Sequence, residues 1–553
     1  MSAAVTAAVC GTCGAATASH LCAGCRRTAY CSRECQRTGW RLHKFECPLL
    51  VTTCARPRSV RACHPAPAGA RRFLDSAAAA AAAAAATAEA APPPLTDGPF
   101  KVVNCADRGL GVAASRTLAP GDLILDEAAL ASVPQQQYGD AVCHRCYSQL
   151  RAPPLRCGGC AASAWCSVAC RDAGTRSHGV ECAVLQRFDP KMRRSMHGLR
   201  FFVQLATLGP GRAARPARGF ASSKPAEMLS GLVSTVAQVL PAALGVSGAT
   251  IRDCILAAES SGFFITDLDG RRLGSGYYPS ASLFNHSCDP NAAVHFERGR
   301  IQIRAIRPVG AGQELLISYT ELYRPVRLRR EALLAKKNFW CRCRRCVGES
   351  ISGSGCRIDG FACPTKGCRG HVVVTGPAAL CVLCGVMRSE TADQLARLQR
   401  ELGEARERAA ALLAEGAYDK CVATVERALK KCGSAFDPLH HERFELSVLA
   451  VDALGLVQPP RPETLLPHAL GAAAAMRIVY GVPTVHPRMI RVLGHIATAY
   501  DELASSAHVD GAARAMLEAR ASAARAEAIA SATTICGASS ATTESCKHSS
   551  RSL

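Results

Sequence analysis

The chain has 553 residues, too many for one hydrophobic core, so several domains are expected. Its formal net charge of +22 favours nonspecific attraction to anionic surfaces, but the basic residues are scattered, which argues against direct reading of nucleic acid. No charge-free apolar run of about 18 residues occurs, so no membrane-spanning helix is expected. The 31 cysteines suggest a disulfide scaffold, yet MSAAVTAAVCGTCG reaches a Cys pair before a secretory apolar core would fit. Reduced, metal-bound thiols in the cytoplasm or nucleus are therefore expected.

In chain order, residues 1–50 carry Cys10, Cys13, Cys22, Cys25, Cys31, Cys35, His43 and Cys47, four pairs that supply two tetrahedral zinc sites. Residues 51–96, with polyalanine from Ala77 to Ala86 and Pro92 to Pro94, read as a low-complexity linker. Residues 97–140 hold β-type runs around Gly109, Gly111 and a Pro-Gly turn. Residues 141–185 repeat the first series at Cys143, Cys146, Cys157, Cys160, Cys166, Cys170, His178 and Cys182, and only the gap between the second and third ligands changes length. Residues 186–275 show helical apolar spacing.

Over 276–325 the chain reads GYYPSASLFNHSCDPN and later GQELLISY, and over 326–350 it has Cys341, Cys343 and Cys346, three thiolates that want a fourth ligand. Cys363, Cys368, Cys381 and Cys384, within 351–390, suit a zinc ribbon, and the alternative is buried apolar cysteine. Residues 391–535 have helical periodicity, including segments 439–456 and 485–504, and the Ser/Thr-rich 536–553 is expected to be a disordered tail. The basic run 324–337 reads as a solvated helix face in preference to a nuclear-import signal.

These motifs resemble the SET-and-MYND protein-lysine methyltransferases. The resemblance implies an α+β multidomain chain: a β-rich SET fold, an inserted MYND finger, an additional N-terminal MYND finger, a post-SET zinc site and a helical tail like tetratricopeptide repeats. It implies cross-braced pairing, with Cys10, Cys13, Cys31 and Cys35 on one zinc and Cys22, Cys25, His43 and Cys47 on the other. In the second finger Cys143, Cys146, Cys166 and Cys170 would share one, and Cys157, Cys160, His178 and Cys182 the other. The post-SET zinc would take Cys288 as its fourth ligand. All these zincs would be structural, because none leaves an open position.

For the reaction, the resemblance implies S-adenosylmethionine as cofactor and a protein lysine as substrate. Gly109, Gly111, Asn285, His286 and Phe339 would contact the cofactor. Tyr319 would aim its hydroxyl at the transferring methyl, and Tyr278 would line the lysine channel. Ser261 stands where the family commonly has Asn and keeps only one of the amide's hydrogen bonds. Glu314 and Glu321 read as surface or strand-end residues. The first finger keeps Trp40 and would dock proline-containing peptides, while the second, with Thr175 there, would be structural. A monomer is expected. The rival reading is a scaffold that binds peptides without catalysis.

Overall fold

The computed structural model describes residues 98–548 apart from short breaks, the longest at 209–225, together with residues 20–23, 29–37 and 40. The linker 51–96 and first-finger ligands Cys10, Cys13, Cys25, His43 and Cys47 lie outside the described residues.

The molecule is a multidomain α+β assembly in which short antiparallel sheets surround one β-rich core. Strand Arg300–Ala305 alternates half-buried and buried residues, as expected of a strand with one face on a core. It lies between Ala292–Glu297 and Leu123–Ala128. A second sheet sets Arg272–Tyr277 between Ala131–Pro134 and Phe263–Thr266, and Phe100–Cys105 pairs with Gly109–Ala114. Their inner faces meet through Phe100, Val112, Ile124, Ile265, Phe284, Ile301, Ile303, Leu315 and Ile317.

Across this core two remote segments run side by side. Asn285–His286 pairs in parallel with Leu316–Ile317, an unusual register for strands of two residues. Side-chain bonds supply what so short a ladder lacks: Asn291 Nδ2 donates to the Glu314 carbonyl at 2.8 Å, and its Oδ1 accepts from the Leu316 N–H at 2.7 Å. The Glu127 carboxylate accepts the N–H groups of Ser280 at 3.0 Å and Ala281 at 3.0 Å, fixing the turn that leads into Asn285.

Helices His197–Leu208, Ala226–Val239 and Gly248–Ser261 form the insert and pack, with helix Val168–Leu185 of the second cysteine series, through residues such as Val184, Val203, Val236, Ile251 and Ile255. The second cysteine series lies against the core at one turn. Gly299 has φ +78°, and a Cβ there would meet the Arg145 carbonyl at 2.5 Å, so only glycine permits this approach.

From Thr391 onward the chain is helical, as the periodicity predicts. Thr391 and Gln394 form a capping box on helix Ala392–Ala414. Tyr418–Cys432, His441–Leu454, Pro462–Tyr480, Pro487–Ala504 and Gly511–Cys536 follow, each packed on the one before. The expected disordered tail is a correction: Ala541–His548 is a helix whose start is held by Ser540 Oγ accepting from the Thr543 N–H at 3.1 Å, with Cys546 buried against Cys536 and Ile535. Its buried residues are Thr542, Thr543 and Cys546, mostly polar, which a composition reading takes for a solvated tail; 549–553 lie outside the described residues.

A second correction concerns the basic run. In helix Val326–Lys337, Arg329 and Arg330 are buried instead of solvated, because their guanidiniums turn onto the cysteine cluster beside the helix.

Candidate functional site

Four cysteine-rich groups have ligand atoms within 4.8 Å of one another: Cys143, Cys146, Cys166 and Cys170; Cys157, Cys160, His178 and Cys182; Cys288, Cys341, Cys343 and Cys346; and Cys363, Cys368, Cys381 and Cys384. Four sulfurs on one zinc at about 2.3 Å stand about 3.8 Å apart, whereas a disulfide holds its sulfurs at about 2 Å. The observed separations are 3.6 Å for Cys146 and Cys166, 3.6 Å for Cys157 and Cys182, 3.5 Å for Cys288 and Cys346, and 3.8 Å for Cys368 and Cys381. The groups fit structural zinc. In the ribbon Cys384 is exposed and Cys363 half-buried, which does not suit apolar filling. Of the first finger, Cys22, Cys31 and Cys35 are described, with Cys31 Sγ 3.5 Å from Cys35 Sγ, and Trp40 is exposed.

Partners behind the ligands were not read from the sequence. His178 places Nε2 3.5 Å from Cys160 Sγ and gives Nδ1 to Glu181 at 3.0 Å, so the carboxylate orients the imidazole toward the metal position. Burial opposes ionisation of Glu181, but Arg200 at 2.6 Å and His178 hold its carboxyl down to about 2. Gln204 donates to its second oxygen at 2.5 Å. Nothing in the spacing of Glu181, Arg200 and Gln204 marks them, since the insert helices bring them together. A further gathering, Asp359, His440 and His441, is engaged otherwise: His440 caps helix His441–Leu454 by accepting the Glu442 N–H at 3.3 Å, His441 Nδ1 bonds the Ile358 carbonyl at 3.0 Å and Gln399 donates to Asp359 at 3.1 Å.

The Cys288 group adjoins an aromatic cluster. The His286 ring lies 5.3 Å from that of Tyr319 and 5.8 Å from that of Phe339, and Tyr319 meets Phe339 nearly edge-on at 6.4 Å. Asn338 explains how Phe339 arrives there. It ends helix Val326–Lys337 in the left-handed conformation (φ 56°), with its N–H on the Leu334 carbonyl at 3.1 Å, and so turns the next residue onto the cluster.

His286 Nδ1 accepts the Tyr319 N–H at 3.0 Å, leaving Nε2 to carry the proton toward Cys288 Sγ at 3.2 Å. Burial pushes its pKa down to about 4, which keeps the ring neutral in that tautomer. One imidazole thus ties the metal group to the aromatic cluster. Tyr319 donates its hydroxyl to the Phe284 carbonyl at 2.5 Å, and burial pushes that hydroxyl above its ordinary pKa, so it remains a neutral donor.

Asn285 Nδ2 donates to the Leu110 carbonyl at 3.2 Å and to Glu314 Oε1 at 3.1 Å, joining the hairpin of Gly109–Ala114 to the parallel pair. Gly109 has φ +72°, while a Cβ on Gly111 would lie 2.7 Å from Asn285 Nδ2 and 2.7 Å from Cys105 Sγ, so each glycine is required for a different reason. Glu314, expected as a surface or strand-end residue, stands just before strand Leu316–Ile317 and is the acceptor at this junction, bonded by Arg108 at 2.6 Å and Cys105 at 3.3 Å. Glu321 faces Arg488 of the helical region at 3.4 Å.

Two expected site residues have their recorded partners outside the His286, Tyr319 and Phe339 rings. Tyr278 is a core residue with no exposed surface: its hydroxyl donates to the Gly299 carbonyl at 3.0 Å and its ring packs between Phe263 and Phe296. Ser261 ends helix Gly248–Ser261, and its hydroxyl lies 3.2 Å from that of Ser260.

Comparison with known proteins follows the same divisions. A SET domain model matches residues 109–320, a span that includes the second cysteine series, and a MYND finger model matches residues 10–47. The chain is similar to "Histone-lysine N-methyltransferase SMYD3" of Mus musculus, at 27% identity over 256 residues, covering 44% of this chain and 60% of that one. It is also similar to "Histone-lysine N-methyltransferase ASHR1" of Arabidopsis thaliana (24% over 389 residues, 65% of this chain and 79% of that one) and to "N-lysine methyltransferase SMYD2-A" of Xenopus laevis (26% over 253 residues, 43% and 58%). The match thus spans about 60% of the mouse relative's length. The comparison with the solved structure "Crystal structure of the SET domain of LSMT bound to Lysine and AdoHcy" covers 82% of this chain and 89% of that one, at 11% identity and a TM-score of 0.24. The SET match thus lies over the sheets and the aromatic cluster, and the MYND match over the first cysteine series.

Proposed function

We propose that this chain is a protein-lysine N-methyltransferase that uses S-adenosylmethionine. The observation that carries the reading is the Tyr319 hydroxyl aimed at the Phe284 carbonyl beside Asn285, His286 and Phe339, on a crossing of two remote segments tied to the Cys288 group. When bound, the cofactor supplies a methyl group on a sulfonium, which the neutral ε-amine of a lysine takes in one displacement, releasing S-adenosylhomocysteine and a proton.

The chain's own residues position the partners of that displacement. Asn285 and the glycine hairpin hold the cofactor's polar groups, and Phe339 covers its adenine. The Phe284 carbonyl and the Tyr319 oxygen present partial negative charge where positive charge is carried. Because Tyr319 spends its proton on Phe284, its lone pairs remain for the substrate amine. Glu314 is already held by Arg108, so the lysine's proton goes to water and not to a carboxylate base. The zincs are structural, in the cross-braced pairs set out above, and no reaction step uses them.

The remaining parts follow the same reading. The first finger docks proline-containing peptides through the exposed Trp40 and the second is structural, braced by Glu181. The chain acts as a monomer in the cytoplasm or nucleus on histone or other protein lysines. Incubating the zinc-loaded chain with labelled S-adenosylmethionine and a cell extract tests the central claim. Label should appear on lysines, and Tyr319→Phe should cut it by a factor on the order of a hundred while cofactor binding persists. An equal rate in the variant would remove Tyr319 from the reaction. No cofactor binding by the native chain would leave a peptide-binding scaffold.

A further inference from the structure

Lys337 is the last residue of helix Val326–Lys337, and the left-handed turn at Asn338 leaves its side chain running back toward the aromatic cluster while Phe339 enters it. Its Nζ lies 5.5 Å from the centre of the Tyr319 ring and donates to the Ser260 carbonyl at 2.7 Å. It therefore stands between the end of helix Gly248–Ser261 and the cluster assigned above to the cofactor. Among the described residues no carboxylate forms an ion pair with it. The charged group that acts on it is Lys336, of the same sign. Burial, and then Lys336, push its pKa down to about 8.

A desolvated ammonium with one carbonyl partner and no counter-charge costs stability, and it has two N–H donors left over. A fold that keeps such a group beside its binding cluster gains if the ligand brings the missing anion. S-adenosylmethionine carries one carboxylate, at the end of its amino-acid arm. Ser261, whose hydroxyl lies 3.2 Å from that of Ser260, offers one hydrogen bond where an amide would offer two.

We propose that Lys337 binds the cofactor's carboxylate by a charge-assisted hydrogen bond. The proposal rests on the methyltransferase reading above. It makes Lys337 the specificity determinant for ligands that retain the amino-acid arm. The ammonium stays on Ser260, and the arriving carboxylate accepts a hydrogen bond from one of its two remaining N–H groups.

Calorimetric titration of the intact, zinc-loaded chain with S-adenosylhomocysteine, and with methylthioadenosine, which keeps the adenosine and thioether but lacks the amino-acid arm, tests this. Lys337→Met should weaken S-adenosylhomocysteine by about 10- to 100-fold, the worth of one hydrogen bond to a charged group, and leave methylthioadenosine within about threefold of native. Lys337→Arg should retain most of the affinity. Native affinity for S-adenosylhomocysteine in Lys337→Met overturns the proposal. Equal weakening of both ligands also overturns it, since that reports general damage to the pocket. If the native chain binds neither ligand, the methyltransferase reading falls and this proposal with it.

Discussion

The Tyr319 hydroxyl reaches the Phe284 carbonyl at 2.5 Å from a half-buried position, whereas that of Tyr278 reaches the Gly299 carbonyl at 3.0 Å inside the core. Tyr278→Phe removes one buried hydrogen bond, so the chain should lose about 1 kcal/mol of stability and keep methyl transfer within about threefold of native. Thermal melting with the labelled-transfer assay checks this; a tenfold drop in transfer at unchanged melting would return Tyr278 to the lysine channel. Both tyrosines are legible in GYYP and ELLISY. That Tyr278 is wholly buried is not, because the turn at Gly299 and the rings of Phe263 and Phe296 enclose it. Lys337 is silent in the sequence for a like reason, as its burial depends on Ser260. Its pKa is lowered from 10.5 to about 8, so between those values the unfolded chain holds a proton that the folded chain has lost. Stability of the cofactor-free native chain relative to Lys337→Met should therefore rise from pH 8 to pH 10.5, by about 3 kcal/mol at the limit. Denaturant melts of both chains across that range measure it, and a constant difference would refute the buried-cation account.

Helix Val326–Lys337 shows what a charge pattern conceals. RPVRLRREALLAKK scores as polar, but Arg329 donates to Cys346 Sγ at 3.5 Å and to Glu349 at 2.5 Å, and Arg330 donates to the Cys341 carbonyl at 2.9 Å. From the adjoining helix Arg344–Ser352, Arg345 donates to the Cys288 carbonyl at 3.1 Å. Four thiolates on one divalent zinc leave excess negative charge, and a buried guanidinium is the group that neutralises it without leaving the core. The cysteine spacing predicts the metal; it does not predict the arginines, which are recruited by the cluster's charge. Arg329→Met should lower zinc affinity at this group by about 10- to 100-fold, read as faster transfer to a chromogenic chelator. Because His286 bonds both Cys288 and the Tyr319 backbone, S-adenosylhomocysteine binding should weaken in the same variant. Unchanged zinc release would show that the guanidinium fills space only.

At the scale of the whole molecule, the helical region meets the β-rich core and the segment that follows it. Tyr323, just past Tyr319, stacks on Phe444 at 3.7 Å and donates to the Leu439 carbonyl at 3.1 Å. Farther on, helix Gly511–Cys536 lies on strands Ala292–Glu297 and Arg300–Ala305, burying Ile535 and Cys536 with Ile490 against Ala293. Periodicity shows that these helices exist. It does not show where they dock, because Gly511–Cys536 is alanine-rich and its apolar face is little marked in sequence. Gly537 ends it with φ +93°, where a Cβ would meet Arg304 Nη2 at 2.6 Å, and the Ala541 N–H reaches Glu297 at 3.3 Å. Cutting the chain before Gly511 uncovers Ile490, Val485 and Ala293, apolar surface worth about 25 cal/mol per Å² once exposed to water. The shortened chain should melt at least several degrees below the intact one. Zinc content and S-adenosylhomocysteine affinity should be preserved, since Asn285, His286, Tyr319 and Phe339 make none of these contacts. Scanning calorimetry, metal analysis and titration on the two chains separate the outcomes. Unchanged melting would mean that the helix rests on the sheet without holding it, and a loss of ligand affinity as large as the loss of stability would mean that the cluster is shaped from the far side of the sheet.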